Sequence, residues 1–240
     1  MIIFSIYNPK KTGPNPFTNE TSSFLFFQLF KSALKTIPKT SEAKKSLVSK
    51  YRKYYAGNTK ISSELDQFDQ HYKSHSALQW YLKNSFLTRL LNKALRTENI
   101  SSLCCLHFYI VDLSKDIEKE FSRFEKHHPK AIFQVYRAFR IAREQREIFE
   151  KNIGNLILTN GYLSTTRQRQ LAFDYIQKSS PRIDQEKILF QYNVDLTQVK
   201  SAIFADISSY NRSSEKDHIL FDLGEFSFDQ SHHGFSVGFL

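Results

Sequence analysis

Three short segments of this chain carry residue types that could do chemistry together, and they fall in one order. The first is Val135-Tyr136-Arg137, at the end of an apolar run. The second is Gly161-Tyr162-Leu163-Ser164-Thr165-Thr166, just before an amphipathic stretch of helical period. The third is the acidic cluster Glu215-Lys216-Asp217, leading through His218 into Ile219-Leu220-Phe221. An arginine, a serine/threonine strand end and a carboxylate, presented by successive strands, could together hold a dinucleotide at its pyrophosphate and ribose.

Each segment also has a purely structural reading. A strand arginine often closes a salt bridge at a sheet edge. Ser164–Thr166 could cap the following helix, a role compatible with ligand binding because Thr166 directly precedes it. Glu215–His218 could be a polar loop entering a strand. The pairs His127-His128 and His232-His233 suggest metal ligands, but adjacent histidines point to different sides and no third ligand stands at a sensible spacing. No metal site is expected. Trp80 and Tyr81 read as core residues rather than a stacking platform.

The elements that must position these residues come in two kinds. Residues 1–19 form an irregular arm with Pro9, Gly13, Pro14 and Pro16. Residues 20–128 have helical period and make a helical lobe. Its first helix opens at Thr21 or Ser22 and ends at Pro38. The second runs from Ser41 to Tyr55 with Gly57 as its stop, and Leu65, Phe68 and Tyr72 mark a third. Ala77–Leu95 reads as one helix with Trp80, Leu82, Phe86, Leu90, Leu91 and Leu95 on its apolar face. A further helix covers 101–125. After Pro129 the pattern changes to short runs rich in β-branched and aromatic residues, so 129–240 reads as the β-rich core. Strands are expected at Ala131–Arg140, on both sides of the Asn160-Gly161 turn, and at Lys187–Leu196, Ala202–Phe204, His218–Leu223 and Phe235–Leu240. Glu144–Lys151 and Gln168–Lys178 are helices. Helices followed by a mixed sheet give an α+β fold, with 20–240 acting as one integrated unit.

Composition limits the function classes. With 22 Phe and 12 Tyr in 240 residues, and few Gly or Pro, the chain is a folded one with material for a large core. Cys104 and Cys105 are the only cysteines and are adjacent, so they read as small apolar residues in a reducing compartment. The apolar start Met1–Tyr7 is too short for a signal peptide, and no stretch is long enough to span a membrane. A cytoplasmic protein is expected. The net charge of +10 fits a nucleic acid, an anionic cofactor or an acidic partner, but Lys and Arg are spread along the chain. Their nearest approach to a cluster is Lys44, Lys45, Lys50, Arg52 and Lys53, either a solvated helix face or an anion patch. No glycine-rich phosphate loop or RNA-binding signature accompanies it.

The ordered segments resemble the fingerprint of the eukaryotic arginine-specific mono-ADP-ribosyltransferases, which is Arg, then Ser-Thr-Ser, then Glu-x-Glu. The resemblance extends from about Phe24 to Leu240 and includes Tyr54 to Gly57, Phe68 to Tyr72, Trp80-Tyr81 and Leu91–Arg96. It implies a helical lobe on a split β-sheet, with NAD (or NADP) as co-substrate in the cleft, no metal, and a protein arginine as acceptor. Neither membrane nor nucleic acid is expected as a partner. Arg137, with Tyr136 beside it, would fork onto the pyrophosphate, which a lysine could not reproduce. Ser164 would sit by the nicotinamide ribose and orient the catalytic carboxylate, while Thr165 and Thr166 complete the strand end. Arg182 in the 179–186 loop would cover the nicotinamide side, and Tyr210 in the 206–214 loop would recognise the acceptor. A carboxylate would stabilise the oxocarbenium-like transition state and a second, Glu215, would orient the attacking guanidinium.

The third motif departs from the pattern. A gapless register puts His218 at the catalytic position and Lys216 at the first Glu. A register slipped by one residue gives Glu215-Lys216-Asp217, with the catalytic Glu shortened to Asp. A two-residue strand period makes these exclusive, because Glu215 and Asp217 would share one face and Lys216 and His218 the other. Three functions stay open. They are arginine ADP-ribosyl transfer, NAD hydrolysis or NAD binding without transfer, and a basic module that holds an acidic partner or nucleic acid.

Overall fold

The computed structural model describes residues 4–7, 26, 29–30, 32–34, 36–38, 41–151, 156–178, 185–197, 203–210, 217–223 and 235–239. The chain starts with a short strand, β1 (Phe4–Tyr7). Most of the first expected helix lies outside the described residues, although Phe26, Leu29, Phe30 and Ser32–Leu34 are helical and Leu34 is buried.

Helix α1 (Ser41–Tyr54) turns Leu47, Val48 and Tyr51 inward, and α2 (Thr59–His71) does the same with Leu65 and Phe68. The Asn58 side chain caps α2 by accepting from the Ile61 amide at 3.1 Å. The single helix expected over Ala77–Leu95 is instead two, α3 (Ala77–Leu82) and α4 (Phe86–Arg96). Asn84 takes a left-handed φ of 49°, a conformation that ends helices and that Asn tolerates. The Phe86 amide, orphaned at the new N-terminus, donates to the Glu64 carboxylate of α2. Thr88 donates to the Tyr81 carbonyl at 2.9 Å, tying α4 back onto α3. The 3–4 apolar spacing survives the break because both short helices pack on one core.

Helix α5 (Ile100–His127) has 28 residues, about 42 Å at 1.5 Å per residue, and connects the two halves of the molecule. Leu103, Leu106, Ile110, Leu113 and Ile117 are nearly inaccessible and anchor the helical core with Phe68, Trp80, Leu87, Leu91 and Leu95. Each such side chain contributes about 1.5–3 kcal/mol by leaving water. The last turns of α5 change cores. Phe121 and Phe124 pack against Phe204 with ring centroids 5.1 and 5.3 Å away.

The strands that follow are β2 (Ile132–Ala142), β3 (Leu156–Thr159), β4 (Leu163–Thr166), β5 (Gln185–Asp195), β6 (Phe204–Asp206), β7 (His218–Phe221) and β8 (Phe235–Phe239). Helix α6 (Arg143–Lys151) follows β2, and α7 (Arg169–Lys178) follows β4. One sheet runs in the order β6-β7-β4-β2-β5-β8, and β1 pairs with β3 in a second. The α+β class is as expected, but the sheet is not mixed: every pairing among the described residues is antiparallel. The strands flanking Asn160-Gly161 do not pair with each other; they belong to different sheets.

Register decides which side chains share a face. Val135 opposes Tyr192, Arg137 opposes Phe190 and Phe139 opposes Ile188, and this face builds the second core with Ile219, Phe221 and Phe204. Across the sheet, Ala205 and Leu220 join the helical core with Tyr162. The sheet opens between two of its strands. β2 pairs with β5 along its whole length, yet meets β4 at the single pair Tyr136–Thr166. Arg137 and Ser164 flank that opening.

Candidate functional site

The opening between β2 and β4 is a cleft of about 460 Å³. Tyr136, Arg137 and Ala138 line one wall, Ser164, Thr165 and Thr166 the other, and His218 enters from β7. α7 adds Ala172 and Tyr175, while Leu82 and Asn84 reach in from the break between α3 and α4. The structure therefore gathers Tyr136, Arg137, Ser164, Thr165, Thr166 and His218 in one cleft. Arg182 and Glu215 lie outside the described residues.

Arg137 is half-buried and its guanidinium donates to the Ser164 carbonyl across the opening. No carboxylate pairs with it among the described residues, and none lines the cleft. A cation in a partly desolvated wall without a counterion attracts an anion. Tyrosines stand around it. Burial pushes the Tyr81 hydroxyl up, while its hydrogen bond to Asn92 and the charges of Arg137 and Arg96 pull it down. Burial also raises Tyr192, which Arg137 partly offsets. Both phenols are neutral at ordinary pH, so they leave the positive charge of Arg137 intact.

The strand end Ser164-Thr165-Thr166 divides its roles by face. Thr165 is buried and donates to the Ile219 carbonyl at 3.1 Å, which locks β4 to β7. Thr166 accepts from the Gln168 amide at 3.1 Å, the capping role expected of a hydroxyl before a helix. The Ser164 hydroxyl makes no hydrogen bond among the described residues, on a half-buried side chain that lines the cleft.

The two candidate registers of the third motif are separated by one residue. His218 is the first residue of β7, directly opposite Thr166, with its ring 6.4 Å from that of Tyr175. Asp217 precedes the strand with a left-handed φ of 76°, and its carboxylate accepts from the Gln168 side chain at 2.8 Å. Its backbone is held as well. The Asp217 amide donates to the Ser208 hydroxyl at 3.0 Å, and its carbonyl accepts from the Arg167 amide at 2.8 Å. The expected alternation of faces through Asp217 does not occur, because a left-handed residue is not part of a strand.

Sequence reasoning missed the group that sets this turn. The Arg167 guanidinium donates to Asp206 at 2.8 Å and lies over the rings of Phe133 and Phe124, 5.1 and 5.8 Å from their centroids. Burial raises the pKa of Asp206, but hydrogen bonds from Ser208 and Arg167 outweigh it and hold the carboxyl below its ordinary value. Arg167 directly follows the Ser164–Thr166 motif, the one local signal that could have marked it. Tyr175 was also missed; it sits one turn after Ala172 on α7, and only the packing of α7 reveals which face meets the cleft.

Tyr210 is not in the cleft lining. Its hydroxyl donates to Glu120 of α5 at 3.0 Å, and burial together with that carboxylate pushes its pKa up to about 12. Among the described residues no three His, Cys, Asp or Glu side chains converge as a metal site, and no helix is long and apolar enough to cross a membrane.

No family model matches the chain, and no curated protein matches it in sequence. Among solved structures, the ADP-ribosyltransferase Vis, a toxin from Vibrio splendidus, is similar at 14% identity over 80% of this chain and 79% of that one, with a TM-score of 0.37. Vis with an inhibitor gives 15% identity, 80% and 78% coverage and a TM-score of 0.38. Vis with agmatine gives 13%, 81% and 79%, and 0.32. Likenesses of this size assign neither family nor activity.

Proposed function

We propose that the cleft between β2 and β4 binds NAD and that the chain is an ADP-ribosyltransferase whose acceptor is a protein arginine. The observation that carries this reading is Arg137 bridging the opening between β2 and β4, beside a Ser164 hydroxyl that makes no hydrogen bond among the described residues. Both belong to the motifs on which the resemblance rests. The fit is to the pyrophosphate and ribose: a guanidinium with no carboxylate partner among the described residues for the anion, and a hydroxyl for the sugar. In the reaction, the bond from the ribose anomeric carbon to the nicotinamide nitrogen breaks and nicotinamide leaves with the electron pair. A guanidinium nitrogen of the acceptor then attacks that carbon and loses a proton. Positive charge develops on the ribose, and a carboxylate nearby would lower that barrier.

A second reading is NAD binding with slow or no transfer, and one observation favours it. The residue opposite Thr166 is His218, and the Asp217 carboxylate is engaged by Gln168 outside the cleft lining. A neutral imidazole can accept a hydrogen bond from a ribose hydroxyl, but it stabilises a cation poorly.

Incubation of the purified chain with NAD and agmatine, read by mass spectrometry, separates the readings. ADP-ribosyl-agmatine establishes the transferase, and nicotinamide without the adduct establishes a hydrolase. No product, with NAD still raising the melting temperature, establishes a binding cleft that has lost its reaction. No product and no thermal shift would overturn both readings.

A further inference from the structure

A second cavity of about 370 Å³ lies in the helical lobe, between α1, α4 and the start of α5. Its volume falls within the roughly 300–1,000 Å³ range of small-ligand sites. Lys50, Arg89 and Lys93 line it together with Tyr51, Tyr54 and Tyr55, and no Asp or Glu is part of the lining. Three cations therefore converge on one cavity with no acid in its lining. Within the α1 cluster, Lys44 pairs with Asp69 at 3.4 Å and Arg52 with Asp66 at 2.6 Å. Lys50 and Lys93 have no carboxylate within 4.0 Å among the described residues. Among the described residues the Lys50 ammonium donates to the Cys105 sulfur at 3.3 Å and lies 5.7 Å from the Tyr51 ring centroid. Arg89 is partly engaged, by the Asn84 carbonyl at 2.8 Å and by Glu64 at 3.4 Å. Asn99 and Ser102 also line the cavity, so the positive end of the α5 dipole adds to the field.

The tyrosines supply the other half of the site. Tyr51 stacks on Tyr55 with centroids 6.2 Å apart, and Tyr54 meets Tyr55 edge-on at 4.8 Å. Tyr54 is 75% exposed, an uncommon state for a large aromatic ring, and leaves a face available for stacking. Lysines and an arginine recognise a phosphate, and an exposed ring recognises a planar one. We propose that this cavity is a second ligand site, which takes a small phosphorylated molecule with a planar ring, of the size of a nucleoside monophosphate. It is separate from the β2–β4 cleft and shares no lining residue with it.

The test is calorimetric titration of AMP into the full chain carrying Arg137→Ala, which disables the anion contact of the other cleft. AMP is expected to bind this protein. Adding Lys50→Gln and Lys93→Gln is expected to weaken it by at least about tenfold, the loss of one to two charge-assisted contacts. Both lysines are exposed, so the unliganded melting temperature should not change; Lys93→Gln alone serves as a milder second variant. Adenosine and inorganic phosphate are expected to bind more weakly than AMP, since each offers half of the recognised chemistry. Absence of AMP binding, equal affinity after the lysine changes, or phosphate binding as tightly as AMP would each overturn the proposal.

Discussion

The two sides of the β2–β4 cleft are built for different tasks. On the Arg137–Ser164 side, a guanidinium and a hydroxyl face the opening, the first without a carboxylate and the second without a hydrogen bond among the described residues. On the β7 side, Asp217, which directly precedes the strand, is outside the cleft lining, and a histidine stands opposite Thr166. Under the proposed function, binding and chemistry are therefore separable. Charge complementarity to a pyrophosphate needs only the first side, whereas stabilising a developing cation needs a carboxylate on the second. One residue of strand register, fixed by the left-handed turn at Asp217, makes the difference.

The largest expected effect breaks the first side. Arg137→Ala should weaken NAD by about 100-fold, near 3 kcal/mol for a lost bidentate charged contact, and Arg137→Lys should recover only part of it. Calorimetry with NAD measures both, and equal affinity for native and alanine proteins would remove Arg137 from the site. The converse change rebuilds the second side. His218→Glu puts a carboxylate opposite Thr166 and should raise nicotinamide release by at least about tenfold, within the range of a positioned acid-base group. An unchanged rate would mean that the histidine position is not where the cation forms.

A smaller effect tests what holds the turn. Asp206→Asn leaves the Arg167 guanidinium with its aromatic neighbours but without its counterion, and should cost about 1–2 kcal/mol, or about 2–8 °C in melting temperature. The sign with pH follows from the depressed pKa of Asp206. The folded carboxyl loses its proton more readily than the unfolded one, so the stabilisation is complete above the ordinary value of 3.8 and is lost as pH falls through the lower folded value. The Asn variant should show a shallower acid limb in melting temperature against pH, and parallel limbs would remove Asp206 from the account. The smallest effect is at Tyr210. Its hydroxyl is spent on Glu120, so Tyr210→Phe should leave NAD affinity within about twofold, the range expected of a change outside the contact surface. A larger loss would show that Tyr210 reaches the ligand.

The legibility of these features in the sequence follows the range of the forces behind them. Helices α1, α2 and α5 are readable because the 3–4 spacing of Leu47, Tyr51, Leu65, Phe68, Leu103 and Leu106 is a local consequence of burying one face. The break at Asn84 has a local signal too, an asparagine suited to a left-handed helix end followed by Ser85. The continuous apolar spacing hides it, since α3 and α4 share a core. Strand positions are readable to within a few residues, but their antiparallel pairing is not, because partners such as Arg137 and Phe190 are far apart in the chain. In the site, Arg137 and Ser164 are legible by type and order. The placement of Asp217 and His218 is not, since Asp217 is held by Arg167, Gln168 and Ser208 from two other segments.

The claim that NAD lies in the β2–β4 cleft is tested most directly by amide hydrogen exchange with and without NAD, read by mass spectrometry. The account predicts slowed exchange in peptides covering 133–141 and 162–168, with little change in α1 and α4. Protection confined to α1 and α4, or no protection at all at saturating NAD, would contradict it.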